Sequence, residues 1–194
     1  ALEYHVKNLE ISEEIGDKRG MGDSYNNIGN IYKDQGNHEK ALEYHEKSLK
    51  IREEIGDKRT MGASYNNIGI IYSDQGNYEK ALEYYEKSLK IREEIGDKKG
   101  MGASYNNIGN IYTDQGNYEK ALMYLLKSKK IWEEINVITN LDETAKELME
   151  VYEKLGKPQK ALENHKLYVT IKDSLATMDG IEKEKQRQFH EQYL

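Results

Sequence analysis

Residues 62–72 have the sequence Gly62-Ala-Ser-Tyr-Asn-Asn-Ile-Gly-Ile-Ile-Tyr72, and close copies of it occupy residues 22–32 and 102–112. The copies are evenly spaced, and the blocks 41–80 and 81–120, each one full repeat, differ at only five positions. Self-similarity at a fixed period of this size is typical of solenoids, in which each repeat buries its apolar face against its neighbours. The sequence therefore predicts an array of short repeats and not one compact core.

The composition narrows the classes of function. The chain has 194 residues, 37% of them hydrophobic and 33% charged, and a formal net charge of −6. An acidic chain is a poor match for nucleic acid or for an anionic membrane, and we expect neither as a partner. It has no Cys, which is compatible with a reducing cytosol, so we expect a cytoplasmic protein. Because the chain begins at Ala1 within a repeat, we expect it to be a piece of a longer protein.

Glycines and aspartates at fixed positions divide the chain into helices. A Gly-Asp pair recurs once per repeat, first at residues 16–17. Gly permits the left-handed conformation after a helix, and Asp accepts hydrogen bonds from the free amides of the next helix. The first helix of each pair ends at a second glycine, namely Gly36, Gly76 or Gly116. The predicted elements are an orphan helix at 1–15 and repeats at 18–55, 58–95 and 98–135.

The fourth repeat is degenerate. Trp132 and residues 136–140 replace the Gly-Asp corner, whereas Tyr152 and Ala161 keep the repeat frame. Terminal repeats commonly depart from the consensus because one of their faces meets a different neighbour. We therefore predict a degenerate repeat at 141–172, followed by a C-terminal helical extension or linker at 173–194.

These residues carry a resemblance to a known family. The order aromatic, Ile, Gly, Tyr, Gly and Ala is similar to the tetratricopeptide repeat (TPR) signature, whose period is about 34 residues. It is represented here by Tyr65, Ile68, Gly69, Tyr72, Gly76 and Ala81. The chain resembles a long-repeat TPR variant over residues 1–172, including LGN-type scaffolds. Residues 166–175 are similar to the exit from TPR arrays in bacterial sensor histidine kinases and nucleotide cyclases. The resemblance implies an all-α fold, a right-handed TPR-type superhelix of helical hairpins with a long C-terminal helix.

Asparagines on the first helix of each pair are the main candidates for function. The resemblance implies that they line the concave surface, where a column of carboxamides suits the polar backbone of an extended peptide. Ile70 would form one apolar pocket in this column. The alternative is that the Asn side chains bridge neighbouring helices or were simply inherited by duplication. The candidate peptide-binding residues are Asn26, Asn27, Asn30, Asn66, Asn67, Ile70, Asn106, Asn107 and Asn110.

Other recurrent polar residues have structural interpretations. Asp34, Asp74 and Asp114 could make the rim of the surface acidic and favour basic peptides, or could be solvated helix ends. The repeated tyrosines occupy packing positions. We expect His5, His45 and His165 at core or boundary positions and not as metal ligands. The Glu-Glu pairs recur beside Arg52 or Arg92, and we expect them on an exposed helix face.

The sequence contains no phosphate-binding Gly loop, no nucleophile–His–acid set and no metal-ligand spacing. We therefore expect no catalysis, cofactor or metal. The predicted function is a protein-interaction module that binds a partner peptide or helix, as the sensor or scaffold part of a larger bacterial signalling protein. The alternative is self-association, for example a homodimer through the terminal helices, because helix 1–15 exposes an apolar stripe and near-identical repeats favour end-to-end stacking.

Overall fold

The computed structural model describes residues 1–192, with side chains up to Asp179. Within this range every regular element is an α-helix, which confirms the predicted all-α fold. The last two residues of the predicted extension, 193–194, lie outside the described residues. The helices are α1 (Leu2–Ile15), α2 (Lys18–Asp34), α3 (His38–Ile55), α4 (Lys58–Asp74), α5 (Tyr78–Ile95), α6 (Lys98–Asp114), α7 (Tyr118–Glu134), α8 (Ile138–Lys154) and α9 (Pro158–Gln192).

The corners between repeats have the predicted chemistry with two variations. Gly56 takes the left-handed conformation at φ 68°, and the amide of Thr60 donates a hydrogen bond of 3.3 Å to Asp57 Oδ1. Asp17 caps α2 without a side-chain hydrogen bond. In the fourth repeat, Asn136 replaces the corner glycine and adopts φ 54°. Asn is one of the few residues with a side chain that tolerates this conformation, so the degenerate corner keeps its backbone shape.

The first of two compact units comprises Ala1–Ile111. In it α2 packs against α3 and α4 against α5, and a glycine of each first helix lies against a ring of the second helix. A Cβ atom added to Gly69 would lie 2.7 Å from the Tyr85 ring, and one added to Gly29 would lie 2.9 Å from His45 Nε2. The absence of a side chain therefore allows each first helix to rest directly on a ring from its partner.

Buried hydroxyl groups join the same helix pairs. Ser48 Oγ donates a 2.8 Å hydrogen bond to the Gly22 carbonyl, and Ser88 Oγ donates one of equal length to the Gly62 carbonyl. Both serines are fully buried. Since a hydroxyl buried without a partner would be costly, these bonds favour one rotational setting of the first helix against the second.

Arg52 and Arg92 are buried, at 3% and 7% exposure. The Glu-Glu pairs beside them are exposed, as expected, whereas the two arginines point into the structure. Arg52 Nη2 donates to Asp23 Oδ1 at 2.5 Å. Ala63 stands at the equivalent place in the next repeat, and Arg92 Nη1 instead donates to the Gly100 carbonyl at 2.6 Å. Burial lowers the pKa of the Arg92 guanidinium, an effect that nearby Asp97 opposes.

The second compact unit begins at Tyr112. Its core is formed where α7 packs on α8 and α8 on α9, and Trp132 is buried at 1% exposure. Helix α9 begins at Pro158 and continues without interruption past Lys172. The boundary between repeat array and extension therefore remains a prediction. The buried core cluster consists of Ala121, Leu125, Leu148, Val151, Tyr152 and Ala161.

Replacing Gly69 with Ala should destabilise the chain. Overpacking against the Tyr85 ring costs about 1–3 kcal/mol, which exceeds the gain of about 1 kcal/mol that Ala has over Gly in a helix. The matched control is Gly20→Ala, because Thr60 occupies that position in the next repeat and the nearest atoms are the side-chain ends of Asp17 and Ser12. Urea unfolding should rank the variants G20A, wild type and G69A in order of falling stability. Equal stability of the two variants would contradict the close-approach argument.

His45 should make the stability of the first unit depend on pH. It is fully buried, and burial, with a smaller effect from Lys33, lowers its pKa from 6.5 to about 4. Between these values the unfolded chain binds a proton that the folded chain does not, so stability falls as the pH falls through this window. The equivalent position in the next repeat is Tyr85, which makes His45→Tyr the matched replacement.

Relative to wild type, H45Y should gain up to about 3 kcal/mol of unfolding free energy between pH 7 and pH 4. Urea unfolding at several pH values measures this difference. A wild type and variant whose stabilities change in parallel with pH would contradict the assignment.

Candidate protein-binding face

The candidate asparagines of the first unit form hydrogen-bonded pairs between neighbouring repeats. Asn67 Nδ2 on α4 donates to Asn26 Oδ1 on α2 at 3.0 Å. Asn107 Nδ2 on α6 makes the same bond to Asn66 Oδ1 on α4 at 2.9 Å. Their side chains lie side by side across three successive first helices. The structure therefore contains the inter-helix bridges that the sequence offered as the alternative to peptide binding.

The bridges leave hydrogen-bonding capacity on each carboxamide. A carboxamide has two N–H donors and an oxygen with two lone pairs, and each of these bonds uses one donor and one acceptor site. Asn26, Asn66, Asn67 and Asn107 are half-buried, so solvent reaches part of each side chain. The row can act both as a brace between repeats and as a surface for a polar ligand.

The remaining candidates extend this row along the same helices. Asn30, Ile70 and Asn110 are half-buried one helical turn further on, and Asn27 is half-buried beside Asn26. Asn106 differs because it is buried at 8% exposure. We call these half-buried residues of α2, α4 and α6, together with Asn106, the Asn-lined face. Its members are Asn26, Asn27, Asn30, Asn66, Asn67, Ile70, Asn106, Asn107 and Asn110.

Acidic side chains lie at the ends of these helices. Asp34 and Asp74 are exposed, and Asp34 Oδ1 lies 3.5 Å from Lys33 Nζ. An exposed ion pair of this kind contributes little to stability. Repeat 1 therefore balances its acidic helix end with a lysine, whereas Ser73 precedes Asp74 in repeat 2.

The tyrosines and histidines only partly follow expectation. Tyr25 and Tyr65 are half-buried and donate hydrogen bonds to Glu13 and Glu53 at 3.2 Å and 3.1 Å. His5 is half-buried and His45 fully buried, as expected, but His165 is exposed. The expectation was wrong for His165.

Met149 occupies the repeat position that is Gly29 and Gly69 in the first two repeats, and it lines a groove together with His165.

Two features of the first unit were missed in the sequence. One is the burial of Arg52 and Arg92. They occupy the repeat position that is Ser12 before them and Trp132 after them, and the tryptophan was the signal that this position faces the interior. The other is an open cavity between α1 and α2, lined by His5, Asn8 and Asn27 among others. In the described part of the chain, His, Cys, Asp and Glu form no cluster of three that could hold a metal ion.

Comparison with protein families identifies the repeats. The tetratricopeptide repeat model matches residues 1–54, 20–94, 60–134 and 100–174. The chain therefore belongs to the tetratricopeptide repeat family, as the sequence resemblance predicted. Proteins of this class act as scaffolds for protein–protein interactions, and the repeats identify the chain as such a module.

The fold is similar to that of several solved structures. Aspartyl phosphate phosphatase F from Bacillus subtilis is 20% identical with a TM-score of 0.78, over 80% of this chain and 41% of that chain. A putative kinesin light chain from Podosopora anserina, with nearly identical TPR-like repeats, is 18% identical with a TM-score of 0.68, over 90% and 86%. A signal transduction ATPase with numerous domains from Pyrococcus horikoshii, which has a tetratricopeptide repeat sensor, is 25% identical with a TM-score of 0.65, over 87% and 29%.

The chain thus spans less than half of the phosphatase and of the ATPase. The likeness to the phosphatase and the kinesin light chain shows the fold alone. Comparison with curated proteins finds no match. Among the described helices, none combines the length and apolar character needed to cross a membrane.

The Asn26–Asn67 bridge should contribute measurably to stability. A buried or half-buried hydrogen bond contributes about 0.5–1.5 kcal/mol net, and a double-mutant cycle of Asn26→Ala and Asn67→Ala isolates the pairwise term. We expect a coupling energy in that range from urea unfolding of the four proteins. The control cycle pairs Asn26→Ala with Asn107→Ala, because those two residues bridge different repeats. A coupling energy of zero in the first cycle would show that the bridge contributes nothing to stability.

Proposed function

We propose that the chain is the interaction module of a larger signalling protein, and that its Asn-lined face binds an extended peptide or a helix from a protein partner. The observation that supports this most directly is the row of paired carboxamides. Each pair is held in one orientation by the bond to the neighbouring repeat. Polar groups that are already oriented lose less conformational freedom when a ligand binds.

The spacing of the row suits a ligand that runs across several repeats. Donors and acceptors recur with each first helix, so that a peptide backbone crossing α2, α4 and α6 would meet the same chemistry three times. Ile70 replaces Asn in the second of these positions and would receive an apolar side chain. The exposed Asp74 favours a peptide with basic residues near this edge, whereas Asp34 is already balanced by Lys33.

The signalling role is inferred from the class of protein and from the architecture of one neighbour. The ATPase from Pyrococcus horikoshii uses a tetratricopeptide repeat array as its sensor. We propose a comparable sensor or scaffold role in the cytoplasm for this chain, with no catalytic step of its own.

The test separates binding from bracing with two substitutions at one residue. Asn66→Asp keeps the oxygen that accepts from Asn107 but removes both amide donors, whereas Asn66→Ala removes the bridge as well. The probe is a peptide without charged residues, selected from a random library for binding to the full chain. Both variants should weaken its binding by about fivefold to tenfold, the loss expected for one or two hydrogen bonds. Only N66A should also lose stability.

The control variants are Glu46→Ala and Glu86→Ala, which change exposed residues of the second helices α3 and α5. They should leave peptide affinity unchanged. Perturbation of the side-chain amide signals of Asn26, Asn66 and Asn107 in ¹⁵N spectra locates the peptide independently. If N66D binds every selected peptide as tightly as wild type, the asparagines are braces between repeats and the peptide-binding proposal is wrong.

A further inference from the structure

Two apolar side chains are exposed on the outer side of α7 in the second unit. Met123 is 45% exposed and Leu126 is 42% exposed. The opposite side of the same helix is fully buried at Ala121, Leu125 and Ser128, so the two residues point away from the core of the unit. Helix α7 is followed by a further helix pair, α8 and α9, and its outer side is therefore not an end of the array.

The first two repeats carry glutamates at both positions. Glu43 and Glu46 occupy them on α3, and Glu83 and Glu86 occupy them on α5. All four are exposed, and Glu43 and Glu83 each accept a hydrogen bond of 2.6 Å from a lysine one helical turn later. Single exposed apolar residues are common on proteins. Two neighbouring ones at positions that are otherwise glutamate indicate a contact surface.

Charged residues flank the apolar pair at equal distances. Glu119 lies four residues before Met123, and Lys130 lies four residues after Leu126. Both charged residues are exposed. Because an α-helix has 3.6 residues per turn, steps of four, three and four keep all of these residues on one side of α7. We call this row the α7 stripe, and its members are Glu119, Met123, Leu126 and Lys130.

The α7 stripe is complementary to its own reverse. If a second α7 lies antiparallel on the first, about a two-fold axis at the midpoint of the stripe, Met123 of each copy faces Leu126 of the other. Glu119 of each copy then faces Lys130 of the other. Packed helices commonly cross at about 20°, which would keep both ends of the stripe within reach of each other. Two-fold dimers require a surface of this kind, which is complementary to itself.

The same arrangement is unfavourable for the equivalent helices of the first unit. Reversal would place Glu43 against Glu46 of a second α3, and Glu83 against Glu86 of a second α5. Like charges that face each other in a contact are destabilising. The apolar pair therefore distinguishes α7 from the otherwise similar α3 and α5.

Helix α9 is compatible with a reversed second copy. It is joined to α7 by a hydrogen bond of 3.3 Å from Lys129 Nζ to Asn164 Oδ1. Glu163 and Lys166 stand on α9 at the two repeat positions that the apolar pair occupies on α7, and both are exposed. Under the same two-fold axis Glu163 would lie near Lys166 of the other copy. This neighbouring helix would thus add attraction and not repulsion.

We infer that the α7 stripe is the contact surface of a symmetric homodimer, in which it is covered by the antiparallel α7 of a second copy of this chain. The apolar pairs would supply the attraction, and the charges at the ends would fix the direction and the register. A different protein could also cover an apolar pair, but its binding would not require a charge order that matches its own reverse. The inference does not rest on the proposed function, because the Asn-lined face belongs to the first unit.

The test is sedimentation equilibrium of the full 194-residue chain at several concentrations. Two apolar side chains from each copy make a small interface, so we expect a reversible dimer with a dissociation constant on the order of 0.1 mM. The double variant Met123→Glu with Leu126→Glu copies the residues of α3 and α5, and it should raise the dissociation constant at least about tenfold. Its urea unfolding should match that of wild type, because these positions are exposed. This comparison separates loss of pairing from loss of folding.

Exchange of charges tests the antiparallel register. Glu119→Lys places lysine against lysine in a homodimer, and Lys130→Glu places glutamate against glutamate, so each variant alone should dimerise about fivefold more weakly. An equimolar mixture of E119K and K130E should recover the association of wild type, because every lysine then faces a glutamate. The matched controls are Glu79→Lys and Lys90→Glu, the same changes on α5. Alone or mixed, they should leave dimerisation unchanged.

Three outcomes would overturn the inference. A chain that stays monomeric at millimolar concentration would leave the apolar pair to a different protein. A dimer that persists in the double variant M123E/L126E would place the second copy elsewhere on the chain. If the mixture of E119K and K130E associates no better than either variant alone, the two α7 helices do not lie antiparallel on each other.

Discussion

The contact between a glycine and a ring sets the geometry on which the first unit depends. The Tyr85 ring fills the space where a Cβ atom of Gly69 would lie, so α4 cannot rotate about its axis without losing either this contact or the buried hydrogen bond from Ser88. Fixing that rotation also fixes the direction in which the other side chains of α4 point. Asn66 and Asn67 are consequently aligned with the asparagines of the neighbouring repeats.

Near-identity in sequence does not give the repeats identical connections. Arg52 is neutralised within its own repeat by Asp23, whereas Arg92 reaches the Gly100 carbonyl at the start of the following repeat. The change of Asp23 to Ala63 explains the difference, because a buried guanidinium without a partner would be costly. Arg92 therefore contacts the backbone of the following repeat, whereas Arg52 pairs with Asp23 in its own repeat and with Asp57 at the next corner.

The parts of the structure that depend on local chemistry could be predicted from the sequence. The left-handed glycines and the capping aspartates determine helix ends within a few residues, and the regular period gives their order. The burial of Arg52 could not be predicted in this way, because its partner Asp23 lies on a different helix and the rotation of α3 decides which side faces inwards. The Asn26–Asn67 bridge joins residues of two different repeats. It could not be predicted because it depends on how α2 and α4 are aligned with each other.

On such a regular surface, a ligand would need one distinctive residue to fix its register. A peptide that contacted only asparagines could slip by one repeat, since α2, α4 and α6 would offer nearly the same donors and acceptors. Ile70 removes this degeneracy because Asn30 and Asn110 occupy the equivalent positions on either side. An apolar peptide side chain would be favoured at Ile70, whereas opposite an asparagine it would desolvate a polar carboxamide without offering it a hydrogen bond. The carboxamides would thus supply affinity across the repeats, and the single isoleucine would select the register.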